Sequence, residues 1–236
     1  MAYAKLHLCE KREKTVKKLT KHFLLALGLC LLMAGSASAD LLFLNGYHYS
    51  DGGIVVGPVH ASFGWNGGTS FDIFCNDYKG ATYIGDSFYV NRTNLLDVGA
   101  SGSPVRFPQT GGAATLIKYK QAGWLVTQMY AYDTKSDNTN IQHALWYLFS
   151  NEPASDAGIL YWYNLAVGLD SETKLAGTNI DFSSFEVLTP DATLYARNVK
   201  QEFIKWNRVP EPAMLGTLLF GLVGVGLFSR KRYKAV

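Results

Sequence analysis

Both ends of this 236-residue chain join a cluster of lysine and arginine to an apolar run, and this constrains what can fold more than any other feature. Residues 1–22 carry seven Lys/Arg against two Glu, and Phe23–Ala34 then gives twelve residues without a charge. Ala37-Ser38-Ala39 supplies the small residues a signal peptidase needs, with Asp40 as the expected new N-terminus. At ~1.5 Å per residue that run is too short for a bilayer core of ~30 Å, so residues 1–39 read as a secretory signal. At the other end Pro210-Glu211-Pro212 precedes Ala213–Phe228, sixteen apolar or small residues closed by Arg230, Lys231 and Arg232. As a helix that stretch spans ~24 Å, enough for a thin transmembrane crossing. The basic cluster would hold the tail on the cytoplasmic side.

What must build its own core is therefore residues 40–208. Removing the two ends turns a formal charge of +3 into −5, with eleven basic residues against sixteen acidic. An acidic domain excludes a basic nucleic-acid-binding module. Cys9 and Cys30 leave with the signal, so the mature chain has one thiol, Cys75. One cysteine makes neither a disulfide framework nor a four-ligand zinc site.

Within this domain the first half reads as β. Gly53–Trp65, Thr69–Cys75 and Tyr83–Val90 are short strand-like runs bounded by Gly, Asn and Asp. Alternation in the second run puts Phe71, Ile73 and Cys75 on one face. Ser101–Gly112 reads as a loop. Helical spacing predicts helices over Ala113–Tyr132, Ile141–Ser150 and Asp156–Leu169, with the polar run 136–140 supplying N-cap residues for the second. Strand character returns at Ile180–Leu188, and Tyr195–Trp206 fits either helix or strand. The expected class is α+β, an N-terminal sheet or barrel-like part joined to a helical part.

Two short segments carry potential chemistry: Phe74-Cys75-Asn76-Asp77 and Gln142-His143-Ala144-Leu145-Trp146. A lone cysteine in an apolar strand is commonly a small buried hydrophobe. The Pro-Glu-Pro triplet, apolar helix and Arg-rich end together resemble the PEP-CTERM sorting signal of exopolysaccharide-producing Gram-negative bacteria. That resemblance implies processing by signal peptidase and an exosortase, transient anchoring by the C-terminal membrane helix, and delivery to the cell surface or extracellular matrix. The aromatic-Cys and Gln-x-Ala-Leu-Trp pair, in that order, resembles the thioester domains of bacterial surface proteins. In that family the Cys thiol and Gln carboxamide condense with loss of ammonia. Carried over, Cys75 is the thiol, Gln142 the acyl donor, and Trp146 and Phe74 the shielding rings. The better-known members sit on Gram-positive cells as adhesins, whereas this tail is of Gram-negative type.

The residue types suit that chemistry. A thiolate is the competent nucleophile, and a carboxamide is a poor electrophile. Condensation therefore depends on fixed proximity, worth effective molarities of order 10⁵ M or more. Trp146 stands at i+4 from Gln142, on the same helical face, whereas His143 is rotated by about 100°. An incoming amine on a partner would attack the Gln142 carbonyl carbon, leaving an amide and a free Cys75, with no turnover. Adhesion or biofilm anchoring would follow, with no cofactor, metal or catalytic residue required. A passive matrix protein without the bond is the alternative. A cysteine hydrolase built on Cys75, His143 or His60, and Asp77 is a weaker one, because no protease signature surrounds the cysteine. The three histidines of the mature chain lack metal-ligand spacing. Trp162-Tyr163 and Trp146-Tyr147 are more often core than sugar platforms at helical spacing.

Overall fold

Asp51-Gly52-Gly53-Ile54 begins the architecture. Gly52 and Gly53 take φ of 55° and 86°, the left-handed pair that a two-residue hairpin turn requires. The turn joins β1 (Asp40–Asp51) to β2 (Ile54–Phe63), with Asp51 opposite Ile54. The computed structural model describes residues 39–64, 68–107, 112–150, 156–195 and 200–208. The proposed signal (1–39, but for Ala39), Pro210, Glu211, Pro212, the helix 213–228, Arg230, Lys231 and Arg232 lie outside them. No helix among the described residues is long and apolar enough to cross a membrane.

β3 (Phe71–Cys75) and β4 (Ser87–Asn94) complete the first half. A helical block follows: α1 (Gly112–Ala131), α2 (Lys135–Ser150), α3 (Ala157–Gly168) and the short α4 (Glu172–Ala176). The chain then returns to β5 (Phe185–Pro190) and β6 (Phe203–Trp206). The six strands close an antiparallel barrel in the order β1-β2-β3-β6-β5-β4. The class is α+β, with the helices inserted between barrel strands four and five.

Strand alternation divides the apolar residues into two cores. Leu42, Val59, Ile73, Cys75, Phe88, Leu188 and Phe203 point into the barrel. Phe74, Val187 and Ile204, their neighbours in sequence, point outward and meet Tyr119, Leu125, Met129, Ile141 and Leu145 of the helices. Helix α2 serves both cores. Its Ile141 and Leu145 belong to the helical layer, while Trp146 reaches the barrel interior.

Four sequence expectations change. β1 has no counterpart among the strands read from sequence. The third strand begins at Ser87 and not Tyr83, because Tyr83–Asp86 forms a turn closed by the Asp86 carboxylate on Tyr83 N (2.8 Å). Helix α2 begins at Lys135 and not Ile141. Thr134 is its cap, accepting from Asp137 N (3.1 Å) and donating to the Asp137 carboxylate (2.7 Å), a reciprocal arrangement akin to a capping box. Asn138, expected to cap, is instead inside the helix and fully buried. Its Nδ2 donates to the carbonyls of Met129 and Thr134, closing the end of α1. Finally, the strand expected over Ile180–Leu188 starts at Phe185, after a 3₁₀ turn at Phe182–Ser184 that Asp181 caps. Helix α3 begins where expected, with the Asp156 carboxylate accepting from Gly158 N (2.7 Å). The ambiguous stretch before Trp206 resolves as β6 over its described end.

Candidate functional site

Cys75 is the last residue of β3, paired with Phe203 of β6 and turned into the barrel. Helix α2 lays Gln142 over it. The Gln142 carboxamide Nε2 donates to the Cys75 carbonyl at 2.6 Å, across 67 residues of sequence. Cys75 is 6% exposed and Gln142 1%. Trp146, one turn further along α2, is 2% exposed and shares the barrel-interior cluster with the cysteine. Thus Cys75, Gln142 and Trp146 form one dry group.

The Gln142 side-chain oxygen is buried and accepts no hydrogen bond. For an amide this costs about 1–3 kcal/mol. The thiol donates to the Asp77 carbonyl at 3.1 Å. Burial pushes its pKa up to about 12, and the Trp146 indole and the Arg106 charge pull in the opposite direction. The Trp146 indole N–H is buried without a hydrogen-bond partner.

Phe74 does not belong to this group. Strand alternation turns it to the outer wall, where its ring meets Tyr130 edge-on at 5.4 Å. Tyr78 does meet Trp146, at 5.2 Å between centroids. The side chains weighed for a hydrolase have partners of their own. His60 binds Asp72 through Nδ1 (2.8 Å) on the outer wall, where the Asp72 carboxylate also accepts from Tyr130 (2.9 Å). The Asp77 carboxylate is ion-paired with Arg106. The His143 ring lies edge-on to Trp146 at 4.9 Å. No group of three or more His, Cys, Asp or Glu suited to a metal occurs among the described residues. Trp162 is a core side chain, and Tyr147 packs on Tyr163 at 4.4 Å.

Sequence reading missed a polar network that holds the Cys75 segment in place. Glu202, fully buried, accepts from Asn76 Nδ2 (2.7 Å), Tyr119 OH (2.6 Å), Thr189 Oγ1 (2.6 Å) and Arg106 N (2.7 Å). Its own carbonyl accepts from Asn76 N (3.2 Å). Burial, with the Glu202 carboxylate alongside, raises the Tyr119 phenol well above its ordinary range. Asp77 forms an Asx turn onto Lys79 N (3.0 Å), and its carbonyl receives Gln201 Nε2 (2.9 Å) as well as the thiol. The two residues after Cys75 are therefore fixed from both sides, which fixes the sulfur.

A cleft of about 470 Å³ opens over the site, with Cys75, Trp146, Val59 and Phe203 among its walls. Tyr47, Tyr78 and Tyr83 stand around it, 46%, 39% and 71% exposed.

No known family's sequence profile matches the chain. Nor does any curated protein sequence match it. Among solved structures, it is similar to the N-terminal thioester domain of a surface protein from Clostridium perfringens, with 12% identity and a TM-score of 0.43 over 72% of this chain and 99% of that one. It is also similar to the N-terminal thioester domain of the fibronectin-binding protein SfbI from Streptococcus pyogenes, with 11% identity and a TM-score of 0.40 over 74% and 95%. The N-terminal domain of the S. pyogenes pilus tip adhesin Cpa gives 9% and 0.39 over 75% and 97%. At this level of likeness the function rests on the site itself.

Proposed function

We propose that this chain is an exported surface or matrix protein whose Cys75 and Gln142 condense into an internal thioester, used once to attach the protein covalently to an amine-bearing partner. The observation that carries this reading is the buried hydrogen bond from the Gln142 carboxamide to the carbonyl of Cys75, the one thiol of residues 40–208, whose side chain points into a closed barrel. Condensation forms the Sγ–Cδ bond and breaks the Cδ–Nε2 bond, and the nitrogen leaves as ammonia with the thiol proton. Trp146 supports the reading because a bond open to hydrolysis needs a dry cover. The protein is not a turnover enzyme in this reading. Signal peptidase releases it and an exosortase acts on Pro210-Glu211-Pro212, with residues 213–228 as a temporary membrane anchor.

Intact mass decides the central point. The expected result is a mass lower than the processed sequence by one ammonia, restored to the full value by Cys75→Ala apart from the substitution itself. An unmodified mass with Cys75 alkylated under native conditions overturns it and leaves the passive matrix reading. Replacing Pro210, Glu211 and Pro212 by alanine should leave the tail uncleaved, and normal processing would remove the sorting assignment.

A further inference from the structure

The cleft that leads to Cys75 differs in charge from what a lysine-rich target would demand. None of its described walls is charged. The carboxylates nearest in sequence are already matched: Asp86 with Lys200 at 2.7 Å, Asp77 with Arg106, and Glu202 with four hydrogen-bond donors. An ammonium entering such a cleft would lose hydration and gain no counter-charge. The walls instead offer aromatic faces and neutral hydrogen-bonding groups: Tyr47, Tyr78 and Tyr83 around the opening, Trp146 below, and Thr82 and Gln201 between them. A pyranose ring presents the matching surface, one face of C–H bonds and a belt of hydroxyls.

Resting on the thioester reading, we infer that the cleft admits an amino-sugar unit of a polysaccharide, and that its free amine is the nucleophile that opens the Cys75–Gln142 bond. The amine of such a sugar has electron-withdrawing oxygens on neighbouring carbons. It therefore titrates nearer the ~7.7–8.0 of an α-amino group than the ~10.4 of lysine, and at pH 7 it is about a tenth neutral, on the order of a hundredfold or more above lysine. That neutral fraction enters without a charge to desolvate and carries the lone pair that attack requires. The amine nitrogen bonds to Gln142 Cδ, the Cδ–Sγ bond breaks, and the sulfur leaves with the electron pair. The proton lost by nitrogen goes to sulfur, which regains its hydrogen bond to the Asp77 carbonyl. No oxidant, metal or cofactor enters the balance.

The test uses the full chain with the ammonia deficit measured first, and follows mass adducts on Gln142 at pH 7. The probes are methylamine, a β-linked glucosamine trimer, its fully N-acetylated form, a neutral peptide with one lysine and a blocked N-terminus, and a peptide with a free α-amine and no lysine. The glucosamine trimer should add faster than either peptide, by about tenfold or more over the lysine peptide, and the acetylated trimer should not add. Tyr83→Ala and Tyr47→Ala should slow the trimer severalfold and leave methylamine unchanged. Equal rates for trimer and α-amine peptide, a faster lysine peptide, or equal slowing of trimer and methylamine by the tyrosine variants each overturn the sugar assignment while the thioester stands. Absence of both the mass deficit and the methylamine adduct overturns the two together.

Discussion

Strand β3 carries reactive side chains at both ends, in opposite surroundings. Near its start, on the outer wall, Asp72 joins His60 to Tyr130 in a hydrogen-bonded chain, with the His60 and Asp72 side chains 43% and 29% exposed. At its end Cys75 faces inward beside Gln142, both nearly inaccessible. By residue type the first group looks more like an enzyme, with a histidine oriented by a carboxylate. The alternation that puts Cys75 inside puts Asp72 outside, so this pair does not face the thiol. The second group contains only neutral side chains, and neutrality with dryness is the condition under which an activated acyl bond survives. Solvent access, more than residue identity, separates the two.

The most drastic way to break the contrast is at the dry end. Gln142→Ala should abolish both the ammonia loss and all amine labelling, read by intact mass. His60→Ala should leave both untouched, and a fall in labelling with His60→Ala would join the two ends into one site. Trp146→Ala should cost about 3–5 kcal/mol by denaturant unfolding and shorten the lifetime of the bond in water. Trp146→Phe should retain much of that lifetime, and a lifetime unchanged in Trp146→Ala would remove the shielding role.

Glu202→Gln places an NH₂ group among four donors, at about 2–3 kcal/mol, and should slow formation of the bond by loosening Asn76 and Asp77. Normal formation at reduced stability would confine the network to folding. A pH comparison is sharper. The Cys75 thiol has its pKa raised from 9.0 to about 12 in the fold, so the folded state holds that proton more tightly than the unfolded chain. Its stabilisation is complete below pH 9 and is lost as pH rises from about 9 toward 12. Gln142→Ala, with a free thiol, should show this loss relative to the Cys75→Ala, Gln142→Ala double variant, and parallel stability curves would contradict it. Tyr130→Phe, at the wet end, should cost only about 1 kcal/mol with no change in labelling.

Much of the site was legible because its parts are local words in the sequence: a strand ending in Phe-Cys and a helix carrying Gln and Trp four apart. The α+β order was legible for the same reason. What escaped was non-local or irregular. β1 escaped because bulges between Leu44 and Gly46 and between Tyr47 and Tyr49 break its alternation. The first turn of α2 is polar, and its capping threonine lies one residue earlier. Glu202 has no pattern around it at all, and its partners Asn76, Arg106, Tyr119 and Thr189 lie 13 to 126 residues away. Phe74 was assigned to the shield by adjacency to the cysteine, although a period of two sends adjacent side chains apart.

The pairing of β6 with β3 also sets a clock. Cys75 pairs with Phe203 of β6, and Asn76 is tied to Glu202 just before that strand, so the segment that carries the thiol is held by the last described strand of the domain. Contacts over such separations form late, after the loop they close has been ordered. On the proposed reading the bond would record completion of the fold: only a chain that includes β6 would become armed, and one without it would remain an ordinary thiol protein.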